Sequence, residues 1–376
     1  MKLGMLYSLS GVQAEMEQSI LDGAMLAVHQ INARGGVLGC AIEVAIYDDQ
    51  SEVSSTARGV DHLCRVENVD AIVGGYTSAA RLALIPAIHS NSTLLMYPTY
   101  FEGEETDPRI FYCGAAPNQY VADYLAWIAD TLGRRVYVVG SDYIYPRVLS
   151  EAIRRLAGRL GIEVVGDRYS PIGETRFEAI IDDIAAKQPS VVISNLVSTD
   201  STTAFYTQYH LAGFTAETTP IAATVTTELD LAHMPTEVSD GHYMVATYFS
   251  GLSSGVNADY RRQLLEVRGQ VWSHAVQVGA FNAVHALALA AETAGSLDHD
   301  DLSRALIGIR FDDSPEGAPF FFRANHYSAH PAYIGRAEHG RYSVIREFDA
   351  RLPDPWWSGS DFPAAVDPAS GRLAET

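Results

Sequence analysis

The chain has 376 residues, 47% apolar and 19% charged, which excludes wholesale disorder and supplies enough apolar surface for two or three cores. Its 26 basic residues against 46 acidic ones leave a formal charge of −20; with Arg134-Arg135, Arg154-Arg155 and Arg261-Arg262 scattered, there is no basic face for direct nucleic-acid binding. No stretch reaches the ~18 apolar residues of a membrane span: the best, Ala275 to Ala291, is interrupted by Gln277, Asn282 and His285 and reads as a buried helix.

Short β-branched runs alternate with longer amphipathic segments almost from end to end. Strands are predicted at Leu3–Tyr7, Ile42–Tyr47, Ala71–Gly74, Leu94–Tyr97, Val136–Val139, Glu163–Tyr169, Val191–Ser194, Ile221–Ala223 and Tyr243–Ala246. Helices are predicted over Ser19–Ala33, Ser55–Glu67, Ser78–His89, Gln119–Leu132, Pro146–Leu160 and Arg176–Ala186, the first stopping at Gly35-Gly36. Such alternation is the signature of an α/β fold with parallel sheets covered by helices on both faces. Nine strands exceed one compact layer and the pattern restarts near Arg135, so two doubly wound lobes are expected. No Gly-, Pro- or Ser-rich linker separates them, which implies several short crossings. The last ~25 residues, with Pro353, Pro355, Trp356 and Trp357, read as an irregular tail.

The three cysteines, Cys40, Cys64 and Cys113, are odd in number and form no CxxC, which gives neither a disulfide framework nor a zinc site and favours a reducing compartment. Met1 to Tyr7 opens directly in a strand, with no apolar leader or cleavage site. The chain is therefore expected in the cytoplasm, or in the periplasm or at the cell surface if an export signal has been removed.

In open α/β sheets ligands bind beyond the carboxyl ends of the strands. Here those ends carry Gly75-Tyr76-Thr77-Ser78, Tyr97-Pro98-Thr99-Tyr100, Gly140-Ser141-Asp142-Tyr143-Ile144-Tyr145, Val197-Ser198-Thr199-Asp200, Thr224-Val225-Thr226-Thr227-Glu228 and Thr247-Tyr248-Phe249. Ser78 and Thr199 stand where helices start, as N-caps or as contacts beside free N–H groups. The tyrosines offer apolar walls with one polar tip, as lobe packing or as the enclosure of a small, partly apolar ligand. Neither GxGxxG nor GxxxxGK[ST] occurs at a strand–helix junction, so no nucleotide or other cofactor is called for. A GxSxG elbow is absent too. His326 and His330 lie in a loop without an HExxH pattern and read as surface or inter-lobe residues, and Asp48-Asp49 reads as Asx-turn chemistry. No enzyme is expected.

Several segments resemble a known group in the same order along residues 3–346. They include Ile31-Asn32-Ala33-Arg34-Gly35-Gly36-Val37, Tyr97 through Gly103, Gly114-Ala115-Ala116-Pro117-Asn118-Gln119 and Gly140-Ser141-Asp142-Tyr143-Ile144-Tyr145-Pro146-Arg147. They are similar to the type I periplasmic-binding-protein superfamily, in its branch of urea and short-chain amide receptors and AmiC-type amide sensors. The resemblance implies two lobes joined by three crossings and closing on a ligand. It places lobe 1 at 1–117 plus 250–325, lobe 2 at 118–249 plus 326–350, and the tail at 351–376. It carries ligand contact onto Ser78, Tyr97, Thr99, Tyr143 and Tyr145, with the segments Ser198–Thr199 and Thr226–Glu228 completing the second face. With the flanking Tyr76, Thr77 and Pro98 these make the expected site.

The expected function is non-catalytic binding of a short aliphatic amide or urea, as a cytoplasmic sensor that restrains an amidase-type operon through a regulatory protein partner. Ser78 and backbone N–H groups would donate to the ligand carbonyl, Thr99 would take its NH2, and the tyrosines would enclose its apolar end. The alternative is the receptor of a urea, amide or branched-chain amino-acid ABC importer, partnered by a permease. For an amino acid, Asp142, Asp200 or Glu228 would meet the ammonium. The resemblance also implies a homodimer.

Overall fold

The computed structural model describes residues 1–357, so the tail expected at 351–376 lies outside the described residues from 358 on. The first sheet contains β1 (Lys2–Tyr7), β2 (Glu43–Asp48), β3 (Ala71–Gly74), β4 (Leu95–Tyr97) and β5 (Ile110–Tyr112), all parallel, in the order β2-β1-β3-β4-β5. The second contains β6 (Arg135–Ser141), β7 (Glu163–Ser170), β8 (Val191–Asn195), β9 (Ile221–Ala223) and β10 (Tyr243–Ala246) in the parallel order β7-β6-β8-β9-β10. Counted from β6, this repeats the doubly wound order of the first sheet, with a switch point beside β1 in one and beside β6 in the other. All nine strands predicted from the sequence are present.

The second sheet departs from the all-parallel expectation. A short hairpin of β11 (Arg310–Phe311) and β12 (Phe320–Phe321) precedes β13 (His330–Glu338) and β14 (Arg341–Arg351), which add antiparallel strands to the edge at β10. The two-residue turn between β13 and β14, His339-Gly340, has positive φ at both positions (55° and 75°), the geometry whose twist suits a tight hairpin.

Helices α1 (Ala14–Ala33), α2 (Val53–Arg65) and α3 (Ser78–Ser90) cover the first sheet. The second carries α4 (Val121–Thr131), α5 (Ile144–Leu160), α6 (Glu178–Lys187), α7 (Thr199–Leu211), α8 (Glu228–Ala232) and α9 (Thr236–Ser239). The chain then returns to the first sheet as α10 (Gly255–Arg268), α11 (Ala275–Ala294) and α12 (His299–Leu306), with α11 packed on α1, β3 and β4. Buried on nearly every face, α11 matches the apolar pattern that stood out in the sequence. Gly23 allows this packing, since a Cβ there would stand 2.3 Å from the Gln277 carbonyl oxygen.

Three segments, 113–120, 247–254 and 322–329, pass between the sheets. One hydrogen-bonded relay ties them. Gln119 Nε2 donates to the Ser328 carbonyl (3.2 Å), and the Ser328 hydroxyl lies 2.6 Å from His330 Nε2. His330 Nδ1 lies 2.9 Å from Glu316 Oε2, and Thr247 donates to Glu316 Oε1 (3.1 Å). Ser328, His330 and Glu316 are each 1% exposed or less. Beyond β14 the chain crosses once more: Glu104 N donates to the Pro355 carbonyl and Trp357 Nε1 to the Glu102 carbonyl (2.6 Å), which seats Trp357 on the loop after β4.

Removing the carboxylate at the centre of the relay takes away the partner of the buried Thr247 hydroxyl and His330 ring. Glu316→Ala is expected to cost about 2–4 kcal/mol, read as a lower urea midpoint, whereas Glu316→Gln should retain part of that loss.

Candidate functional site

The carboxyl ends of the two parallel sheets face each other, and the polar residues collect between them. Tyr76 and Tyr100 come from the first lobe, and Tyr143, Tyr145, Thr199 and Asp230 from the second. The Tyr100 ring stands 6.4 Å from both Tyr120 and Tyr145, and Tyr143 stands 6.5 Å from Tyr145 (centroid distances). The Tyr120 and Tyr145 hydroxyls are bonded at 3.0 Å. A cavity of about 10 Å³, room for one water, lies here, lined by Tyr100, Tyr120, Thr224 and Thr247 among others. Beside it the lobes touch: His233 Nε2 meets Glu15 Oε1 at 2.6 Å.

The helix starts differ by one residue from the sequence expectation. Thr77 caps α3 by accepting from Ala80 N, and Ser198, at φ +84°, caps α7 by accepting from Ser201 N. Ser78 and Thr199 are therefore the first helical residues. Thr77 takes the N–H groups of Ala80 and Arg81, leaving those of Ser78 and Ala79 at the positive end of α3 without an acceptor among the described residues. The Ser78 hydroxyl instead donates inward to Glu102 Oε2 (2.6 Å), whose Oε1 accepts from Arg81 Nη2 (2.7 Å). That proton is engaged inside the lobe.

Several other expected residues are satisfied internally. Tyr97 is fully buried, its hydroxyl donating to the Tyr76 carbonyl (2.6 Å), and so braces the cleft floor. Thr99 donates to the Gly75 carbonyl (3.2 Å). The loop bearing Pro98 and Thr99 is pinned by Gly114, where a Cβ would lie 2.2 Å from Tyr100 N. Thr226 is buried and its carbonyl accepts from Tyr342 (3.0 Å). Glu228 turns away from the cleft to accept from Ser250 Oγ (2.7 Å), Ser250 N and Tyr342 N. Of the other acids expected to meet an ammonium, Asp142 pairs with Arg147 (2.7 Å) in a half-exposed bridge and Asp200 is exposed.

The carboxylate that does face the opposite lobe is Asp230. It closes a capping box on α8, with Oδ2 accepting from Thr227 N (2.6 Å) and Thr227 Oγ1 (2.9 Å), while the Thr199 side chain also bonds it. It lies within electrostatic reach of Tyr76 and Tyr100 across the cleft. Burial pushes its carboxyl up to about 6, more than these hydrogen bonds pull it down. The Thr227-x-x-Asp230 spacing was a legible capping-box signal that the sequence analysis passed over. Two further residues were missed. Gln13 is 4% exposed, and both its amide atoms are buried without a partner among the described residues. Glu17 accepts from Ser8 N (2.8 Å) and is pushed up to about 8 by burial and by Asp49, so it is neutral near pH 7.

Ser328, His330 and Glu316 have the distances of a nucleophile–base–acid relay, but all three are almost wholly buried between the crossings. They serve as a tie. His326 stacks on Phe111 at 4.2 Å.

The profile of the periplasmic binding protein domain family matches residues 1–361. The chain belongs to the periplasmic binding protein family. Among curated relatives of this family member, the Leu/Ile/Val-binding protein BraC3 of Rhizobium johnstonii is 26% identical over 197 residues, 50% of this chain and 53% of that protein. An amino acid binding protein of Pseudomonas aeruginosa is 24% identical over 189 residues, 49% of this chain and 50% of that protein. The chain spans about half the length of the curated relatives it matches. Two solved structures share the type I fold at low identity. The branched-chain amino acid transporter substrate binding protein LivJ of Streptococcus pneumoniae, in complex with isoleucine, superposes with a TM-score of 0.83, 20% identity and coverage of 93% and 99% of the two chains. A solute binding protein of an R. palustris ABC transporter, in complex with benzoate, gives 0.84, 19%, 94% and 97%. The amide and urea branch suggested by the sequence motifs is not singled out by these relatives. Among the described residues no helix is long and apolar enough to cross a membrane.

Glu17 carries a pH prediction. Its carboxyl is raised from 4.5 unfolded to about 8 folded, so the stability held by the neutral form is fully present below pH 4.5 and is lost as pH climbs towards 8. Glu17→Gln, which stays neutral, is expected to gain ~2–4 kcal/mol relative to the parent between pH 5 and 9, measured by urea unfolding of the ligand-free protein.

Proposed function

We propose that this chain is the solute-binding receptor of an ABC importer and closes its lobes, taken as 1–117 plus 250–325 and 118–249 plus 326–350, on a small α-amino acid. The observation that carries the proposal is Asp230, a buried carboxylate that faces the other lobe and makes no ion pair among the described residues, the nearby His233 being paired with Glu15 and acting on it only from a distance. A buried carboxylate is costly to ionise without a counter-charge, and an ammonium supplies one. The ligand's carboxylate would meet the free N–H groups of Ser78 and Ala79 at the head of α3. Its side chain would lie among Tyr100, Tyr120, Tyr143 and Tyr145, and Gln13 would bond whichever polar edge remains. The relatives named for Leu/Ile/Val and for amino acids support this choice. An aromatic acid without an amine would offer Asp230 nothing and be repelled by it.

The receptor role places the chain outside the cytoplasmic membrane beside a permease, in place of the cytoplasmic location expected from the sequence. Closure would act as the signal, because the ligand binds the closed state better than the open one. No catalytic role is proposed.

A second reading, the amide or urea sensor, is favoured by one feature: the tyrosine wall and the protonated Glu17 give the cleft a largely neutral lining. Calorimetric titration of refolded protein with leucine, valine, 4-hydroxybenzoate, acetamide and urea separates the cases. Binding of an amino acid alone is expected; binding of acetamide or urea alone would overturn the amino-acid reading in favour of the sensor.

Asp230 must be ionised to hold an ammonium, so amino-acid affinity should weaken as pH falls below about 6, approaching tenfold per unit. Asp230→Asn should weaken binding at pH 7 by about tenfold or more and abolish that pH dependence, while leaving the unfolding midpoint within about 1 kcal/mol of the parent.

A further inference from the structure

A second cavity, of about 180 Å³, opens at the opposite end of α1. Glu15 marks the cleft end of this helix, and Gln30 and Arg34 stand 15 to 19 residues further on, about 22–28 Å away at ~1.5 Å per residue. The cavity is bounded by α1, α10, α11 and the start of the β11–β12 hairpin, and it shares no lining residue with the cleft.

At its base is His285, 6% exposed, with its ring stacked on Phe311 (centroids 4.5 Å apart, planes 9° apart) and set edge-on against Phe281 (4.5 Å). Gln30 fixes its tautomer. Gln30 donates Nε2–H to Gln263 Oε1 (3.0 Å), so its own Oε1 is left to accept, and His285 Nε2 lies 3.0 Å from it. The imidazole is therefore protonated on Nε2, and Nδ1 is a bare acceptor with no partner among the described residues. Burial keeps the ring neutral by pushing its pKa down to about 3. Beside it, Arg34 at the end of α1 makes no ion pair among the described residues, although its charge reaches His285. Asp313 on the rim is also without an ion pair, whereas Asp259 is engaged by Arg262 (3.2 Å).

Two glutamines and a stacked phenylalanine are thus spent on holding one imidazole so that it presents an acceptor beside an unpaired guanidinium. Packing alone does not need this: an apolar side chain would fill the base of the cavity without leaving an acceptor unmet. We propose that this cavity is a second ligand site, for a small carboxylic acid bearing an O–H or N–H donor next to its carboxylate. Arg34 takes the carboxylate, His285 Nδ1 accepts from the neighbouring donor, and the apolar remainder lies against Tyr260 and Phe311. The proposal is independent of what fills the cleft.

The test uses the full chain with ¹⁵N-labelled histidine, in the parent, Arg34→Gln and Asp230→Asn, titrated with 2-hydroxy-3-methylbutanoate, valine and donor-free 3-methylbutanoate. The expected result is a saturable shift of the His285 Nδ1 resonance with the hydroxy acid, with valine or with both, which also tells the O–H donor from the N–H donor. The affinity should be at least tenfold weaker for 3-methylbutanoate and in Arg34→Gln, and unchanged in Asp230→Asn. Arg34 is exposed at a helix end, so its variant keeps the fold. No shift of that resonance with either donor-bearing acid, or equal affinity in Arg34→Gln, would overturn the second site. Loss of binding in Asp230→Asn would overturn it as well, by tracing the signal to the cleft.

Discussion

The rest of the structure depends on the relay that joins Gln119, Ser328, His330, Glu316 and Thr247. Each lobe has apolar clusters of its own, and one larger cluster runs through both, from Leu3 and Val73 to Met244 and Tyr342. The positions of their carboxyl ends relative to each other follow from that shared cluster together with the crossings. Those crossings carry polar backbone through a dry region, where every donor and acceptor must be matched. Matching them with side chains from all three segments at once makes the junction specific, so that the tyrosines of both lobes meet around one small space.

The same shortage of water shapes the cleft electrostatics. A chain with a formal charge of −20 carries most of its acid groups in solvent, yet Glu17, Glu228 and Asp230 are almost wholly buried with raised pKa values. Their partners decide their roles. Glu228 accepts three hydrogen bonds from its own surroundings and is internally complete. Asp230 accepts from Thr227 and Thr199 and also lies within electrostatic reach of Tyr76 and Tyr100 of the opposite lobe. Two acids two residues apart on one short helix thus face different neighbours, Ser250 and Tyr342 for Glu228 and the first lobe's tyrosines for Asp230.

Much of the scaffold was legible because alternation and turn chemistry are local. All nine strands read from apolar runs exist, and the repeat suspected near Arg135 is the start of β6. The β13–β14 hairpin was missed because its stability comes from pairing with β10 across more than eighty residues, and its Glu338-His339-Gly340-Arg341 turn was not weighed as a hairpin signal. The site was legible as a neighbourhood more than as a list. Strand ends located Tyr76, Tyr143 and Tyr145, but nothing in the sequence states that Tyr97 and Glu228 turn away from the cleft. Side-chain direction at a strand end follows from which neighbour offers the better hydrogen bond, here the Tyr76 carbonyl and Ser250. That choice is tertiary.

The fourth passage between the lobes, by which residues 352–357 leave β14 and seat Trp357 on the loop after β4, decides where motion can be observed. Lys2 at the start of β1 and Trp357 are both attached to the first sheet and its loops. A pair of fluorophores attached near these two points would hold a constant separation while the cleft opened and shut. A reporter of closure needs one dye near either point and the other on the far half, for instance on the exposed side of α5.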